Sequence, residues 1–146
     1  MRAVVQRVAW ARVLEDGKLL GEVTGGLCVL LGVARDDDKR VAQTLARKLA
    51  RLRIFPDDDG RFSHSVKDVG GSALVVSQFT LIADTGKGNR PSFSNAAPAD
   101  LAEPLYKDFC DTLRGEGVQV ATGRLGALMQ VELVNDGPVT IILSTE

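Results

Sequence analysis

Ser77-Gln78-Phe79-Thr80 sets two hydroxyls and a carboxamide inside an otherwise apolar run, Ser72–Ile82 (SALVVSQFTLI). Buried without partners, each polar group would cost about 1–3 kcal/mol. Two readings therefore stand: satisfied polar residues of a strand, or the lining of a pocket at the strand's end. On a continuous strand Ser77 and Phe79 face one way, Gln78 and Thr80 the other. A seryl or threonyl nucleophile normally needs an adjacent base, and the chain has 1 histidine, His64, remote in sequence. Covalent catalysis is a weak prospect on this inventory.

Three further stretches carry chemical groups. Asn135-Asp136-Gly137-Pro138-Val139-Thr140 reads as a connector between strands, since only about 5–6% of X-Pro bonds are cis. Glycine before proline also leaves an unhindered carbonyl, suited to close ligand contact. The loop Thr85–Phe93 sets Lys87 and Arg90 among glycines, a weak phosphate cradle without Walker spacing. Lys39 to Arg53 holds six basic residues and no acidic one. Arg40, Arg47 and Arg51 recur there on one helical face, either as a solvated surface or as a local patch for phosphates.

The elements that position these groups read as follows. Ala3–Leu14 is a half-exposed strand, Glu15-Asp16-Gly17-Lys18 a turn, and Leu19–Val23 its hairpin partner. Thr24-Gly25-Gly26 breaks the chain before a core strand, Leu27–Val33. Acidic residues Asp36 to Asp38 cap a helix from about Lys39 to Leu52, with Val41, Leu45, Leu49 and Leu52 buried. Arg53–Phe55 is a short strand ended by Pro56 and a polar Asp57-Asp58-Asp59-Gly60 turn, and Ser72–Ile82 is a strand. Pro98 sits at a first helical position, but Pro104 should delay the regular helix to near Glu103. Gly115 and Gly117 end it. Val118–Ala121, Ala127–Val134 and Val139–Leu143 are strands, the last two joined by the Asn135–Pro138 turn.

Composition bounds the chemistry. The 146 residues suit one domain, 1–146, and 45% hydrophobic content argues against disorder. No apolar run approaches the ~20 residues of a membrane span, and no export signal opens the chain, so the cytoplasm is the expected compartment. Cys28 and Cys110 lack metal-ligand spacing and are expected to be buried, reduced thiols. The aspartate cluster lacks calcium-loop spacing. No metal and no cofactor is expected. A net charge of −1 taken alone votes against RNA as a partner.

Two separated motifs change that vote. Val76-Ser77-Gln78-Phe79-Thr80-Leu81 and Val134-Asn135-Asp136-Gly137-Pro138-Val139-Thr140, in this order, resemble the D-aminoacyl-tRNA deacylases from Met1 to the C-terminus. Gln6-Arg7-Val8, Gly88-Asn89-Arg90-Pro91-Ser92-Phe93, Leu105-Tyr106 and Thr122-Gly123-Arg124 support the resemblance. It implies a homodimeric hydrolase that cleaves the ester between a D-amino acid and the 3′-terminal adenosine of tRNA. Gly137-Pro138 would be cis, reach into the partner's site and reject L-amino acids with its two carbonyls; glycyl-tRNA would pass. Ser77, Gln78, Phe79 and Thr80 would form the catalytic pocket, with main-chain N–H groups near Phe79 and Thr80 stabilising the oxyanion. The substrate's 2′-hydroxyl would assist water, Thr80 as nucleophile being the competing mechanism. Arg7 would hold the cross-subunit motif, with Asn135 and Thr140 beside the substrate; Met129 is a pocket wall or a strand core residue.

This sequence departs from the family pattern at Ser63-His64-Ser65, Leu125 and Leu128, which bears on the pocket rim. The overall expectation is a single compact, β-rich, mixed α/β domain with a mixed or barrel-like sheet and two main helices. Arg40, Arg47, Arg51, Lys87 and Arg90 are the expected tRNA contacts. The alternative is a non-enzymatic RNA- or protein-binding β-rich module, in which both motifs are merely strand and turn.

Overall fold

The alternating apolar residues of the first third form one long antiparallel hairpin, β1 (Arg2–Glu15) and β2 (Lys18–Gly32). Asp16 and Gly17 join them at φ 50° and 77°, the left-handed pair a tight hairpin turn requires. In this computed structural model, residues 1–145 are described. Contrary to expectation, β2 runs unbroken through Thr24-Gly25-Gly26. Gly26 permits this: a Cβ there would stand 1.9 Å from the Ser72 carbonyl oxygen of the neighbouring strand.

The rest of the sheet is built outward from that hairpin. After α1 (Lys39–Arg51) and a small hairpin, β3 (Phe55–Pro56) with β4 (Phe62–His64), strand β5 (Ser72–Ser77) lies parallel to β2. After α2 (Ala99–Gly115), β6 (Gln119–Thr122) lies parallel to β5, and β7 (Gln130–Ser144) returns antiparallel to β1. The order β6-β5-β2-β1-β7 leaves β6 and β7 as edges, so the sheet is open and mixed; the barrel-like form does not occur among the described residues.

Both helices pack together against one sheet face. Asp38 caps α1, its carboxylate accepting from the Val41 N–H at 2.9 Å. The buried stripe is Ala42, Leu45, Ala46, Leu49 and Ala50. α2 begins at Ala99 rather than near Glu103, with Pro98 as its cap. Pro104 is tolerated because both it and Asp100, whose carbonyl loses its helical partner, face solvent. Leu105, Phe109 and Leu113 close over Val5, Val29, Leu31 and Val75. A second core, with Val8, Val13, Cys28, Leu74 and Val76, fills the other face. Cys28 and Cys110 are free and buried, and burial pushes both thiols up to about 11. No described helix is long and apolar enough to cross a membrane.

β7 corrects the last expectation of two strands joined by a turn. It is one edge strand with residues extruded from its middle. Gln6 pairs with Thr140 and Val8 with Asn135, so two steps along β1 face five along β7. The extruded segment carries Asp136, Gly137, Pro138 and Val139. An edge strand tolerates such an insertion because only one neighbour constrains it.

Candidate active site

β5 ends where its outer neighbour ends. The last rung to β6 is Val75 with Thr122, and Ser77 still pairs with Leu31 of β2. The Gln78 N–H donates to the Leu31 carbonyl at 2.8 Å, and the chain then enters a 3₁₀ turn, Phe79–Leu81. The expected strand to Ile82 therefore stops five residues early, and the alternation of Ser77 to Thr80 across two faces is lost. Gly32 makes room for the turn, since a Cβ there would lie 2.9 Å from Leu81 Cβ and 3.0 Å from the Gln78 oxygen. Within the turn, Leu81 N–H donates to Gln78 O and Ile82 N–H to Phe79 O. The N–H groups of Phe79 and Thr80 have no protein acceptor among the described residues.

Beside this turn lies a cavity of about 470 Å³. Val76 to Phe79 form one wall, Ala99 and Ala102 of the first turns of α2 another, and Leu125 to Met129 a third. It lies at the carboxyl end of parallel strands, the usual ligand crevice of open α/β sheets. Phe79 is 55% exposed and packs edge-on against Phe93, with ring centroids 5.2 Å apart. Leu128 at the rim is 91% exposed. The Gln78 carboxamide donates to the Thr80 hydroxyl. None of the residues lining the cavity carries an ionisable side chain. Its polar lining is the Ser77 hydroxyl and the Gln78 carboxamide, set in an otherwise apolar surface, and Thr80 stands outside that lining.

The extruded segment of β7 forms a second, separate cluster. Arg7, nine-tenths buried, donates through Nε to the Asp136 carbonyl at 3.0 Å and through Nη1 to the Ile54 carbonyl at 2.8 Å. Its guanidinium lies 5.6 Å from the centre of the Phe62 ring. Asn135 accepts from the Val139 N–H at 2.9 Å and donates to the Thr140 hydroxyl at 3.1 Å, which closes the base of the loop. Gln6 donates to the same hydroxyl at 3.2 Å. Between these braces Gly137-Pro138 is a cis peptide, both residues exposed, with Gly137 at φ 135°.

The two clusters do not meet within the chain. Ser77 lies level with Leu31, Ala3 and Leu143 on successive strands. Three strand spacings of about 4.8 Å, plus the run back along β7, separate it from Gly137. Met129 belongs to the cavity wall and Arg7, Asn135 and Thr140 to the scaffold of the extruded loop.

The basic residues divide as well. Arg40, Arg47 and Arg51 are exposed on α1, and Lys87 and Arg90 on the loop between β5 and α2. The absence of acidic neighbours in the α1 segment is a property of sequence only. Glu116, at the end of α2, sits 3.3 Å from Arg51 and 3.9 Å from Arg47. Sequence reasoning also passed over Gly32, the alanines of α2, and the Ile54–Phe62 segment that holds Arg7. Short periodic patterns mark the alanines and glycine as packing residues, and the hold on Arg7 comes from a segment some fifty residues distant.

The model of the D-Tyr-tRNA(Tyr) deacylase family matches residues 4–144. A D-aminoacyl-tRNA deacylase of Anaeromyxobacter dehalogenans is 59% identical over 99% of this chain and 97% of its own length. One from Roseiflexus castenholzii is 56% identical over 99% of this chain and 92% of its own. A solved structure named c-Myc DNA Unwinding Element Binding Protein superposes with a TM-score of 0.93 at 41% identity, covering 100% and 99% of the two chains. The protein is thus an enzyme that hydrolyses a carboxylic ester. The chain belongs to the D-aminoacyl-tRNA deacylase family, and aminoacyl-tRNA is its class of substrate.

Proposed function

We propose that this enzyme clears D-amino acids, and glycine, from tRNA in a site completed across a homodimer. The observation that carries this reading is the separation of two separately braced clusters, the Ser77–Thr80 turn and the Gly137-Pro138 loop, in one protomer. An isologous dimer makes the loop-to-cavity contact twice, once in each direction.

In this reading the terminal adenosine and the ester enter the cavity lined by Ser77, Gln78, Phe79 and Met129. Water attacks the ester carbonyl with help from the adjacent ribose 2′-hydroxyl. The free N–H groups of Phe79 and Thr80 receive the developing oxyanion. Such a step needs positioning rather than a side-chain base, in keeping with a cavity without ionisable walls. Gly137 and Pro138 of the partner subunit present their carbonyls to the α-carbon, excluding an L side chain and admitting a D side chain or glycine. Arg7 fixes that loop. The exposed cations Arg40, Lys87 and Arg90, with Arg47 and Arg51 partly neutralised by Glu116, meet the RNA phosphates. This is an activity of the compartment where translation runs, the cytoplasm.

Subunit mixing tests the shared site. A Gly137 variant and a Phe79 variant, each inactive alone, regain about a quarter of wild-type activity after denaturation and refolding together. Half of the random dimers are mixed, and each mixed dimer carries one intact site. No recovery in verified mixed dimers contradicts the shared site. Membership in a family of deacylases leaves the non-enzymatic alternative without support.

A further inference from the structure

We propose that Tyr106 is a positioning residue for the reaction, its hydroxyl fixing the free end of β5 and with it the Phe79–Thr80 amides. The β6 ladder covers β5 only from Ser72 to Val75, so Val76 and Ser77 are held on one side alone, by Leu30 and Leu31 of β2. At the last rung the Tyr106 hydroxyl donates to the Val75 carbonyl at 2.5 Å. It substitutes for strand pairing where strand pairing stops, two residues before Ser77. Tyr106 lies one turn beyond Ala102 on α2, and Ala102 lines the cavity. One helix face thus walls the cavity and ties the strand that feeds it.

The hydroxyl is suited to a permanent hold. Burial is the main cause pushing the phenol above the usual tyrosine range, so it stays protonated and donates throughout the neutral range. Cys110, a turn further along, adds to the same upward push. A buried tyrosine with a satisfied hydroxyl is common in packed cores. The location of this one, at the point where β5 loses its neighbour, gives it a role beyond packing. The inference rests on the Ser77–Thr80 turn being the catalytic end.

Tyr106→Phe removes the hydroxyl and keeps the ring. With D-tyrosyl-tRNA, kcat falls roughly tenfold while KM stays within about twofold, the signature of displaced donors rather than lost binding. Leu113→Val, a packing change elsewhere on α2, lowers Tm while leaving kcat unchanged. Amide exchange read without substrate quickens at Gln78, Leu81 and Ile82 in Tyr106→Phe. The proposal is overturned by a kcat within twofold of wild type, by an equal kcat loss in Leu113→Val, or by unaltered exchange at the turn. Wild-type protein inactive on D-tyrosyl-tRNA overturns instead the catalytic reading of the turn, whatever the exchange data show.

Discussion

Arg7 and Asp136 lie on adjacent strands at the point where their pairing is interrupted, and the guanidinium Nε donates to the Asp136 carbonyl at 3.0 Å. The residue after Asp136 is Gly137. The position of the exposed Gly137-Pro138 peptide is therefore set by a buried cation that is itself held by Ile54 and faces Phe62.

Removing that cation should damage both stability and function. Arg7→Ala leaves the Ile54 carbonyl buried without its donor, at a cost of about 1–3 kcal/mol, and activity on D-aminoacyl-tRNA falls by more than tenfold. Arg7→Lys does not restore activity, because one ammonium cannot span two carbonyls in the geometry of a fork. Urea melts and kcat/KM for both variants check this; full activity in Arg7→Ala would remove the loop's proposed support.

Gly137→Ala should act locally. The backbone is at φ 135°, and an added Cβ would meet Val139 Cγ2 at 2.8 Å and Arg7 Nη2 at 3.2 Å. The strain, about 1–3 kcal/mol, is relieved by moving the exposed loop rather than by unfolding. The expected result is a small change in Tm with a large loss of D-aminoacyl-tRNA hydrolysis. Equal activity to wild type would detach this loop from catalysis.

Thr80 is not expected to act as the nucleophile. Its side chain is exposed and bonded to the Gln78 carboxamide, with no ionisable side chain among the cavity walls to act as base. Thr80→Ala is expected to keep hydrolysis within about tenfold of wild type, with no burst of released tRNA in either protein. Complete loss in a folded dimer would reinstate covalent catalysis.

Glu116 offers a test of the RNA surface that works by gain rather than loss. Glu116→Gln frees Arg47 and Arg51, so KM for tRNA should fall at low salt and its salt dependence should steepen. Charge reversal at Arg40, Arg47 and Arg51 should raise KM and flatten the dependence. Titration against salt separates these outcomes, and an unchanged slope in both variants would place the RNA elsewhere.

The two thiols give a control on the fold. Burial lifts Cys28 and Cys110 to about 11, so both are neutral and unreactive at pH 8. A thiol reagent should titrate none in the native protein and both after denaturation.

Local patterns made much of the fold legible. The Asp16-Gly17 turn, the capped helix after Asp38 and the apolar Leu27–Leu31 run all specify their conformations within a few residues. The misreadings came from distant partners. Ser72–Ile82 reads as one strand because nothing local reveals that β6 stops at Thr122 or that Gly32 leaves space for a turn. Asn135 to Pro138 reads as a hairpin connector because the composition of a turn and of an extruded edge loop is the same. Only pairing with β1 on both sides tells them apart. The α1 arginines read as lacking acidic neighbours because Glu116, which pairs with Arg47 and Arg51, is remote in sequence. The site motifs were visible by resemblance, whereas the braces of Arg7 and the hold of Tyr106 required the folded chain.

Chirality is what the proposed shared site would select, and hydrolysis of D- and L-tyrosyl-tRNA by the purified protein, measured side by side, reads it out. Rapid release of D-tyrosine is expected, with L-tyrosyl-tRNA left essentially intact. Equal rates on the two, or hydrolysis of neither, would contradict it.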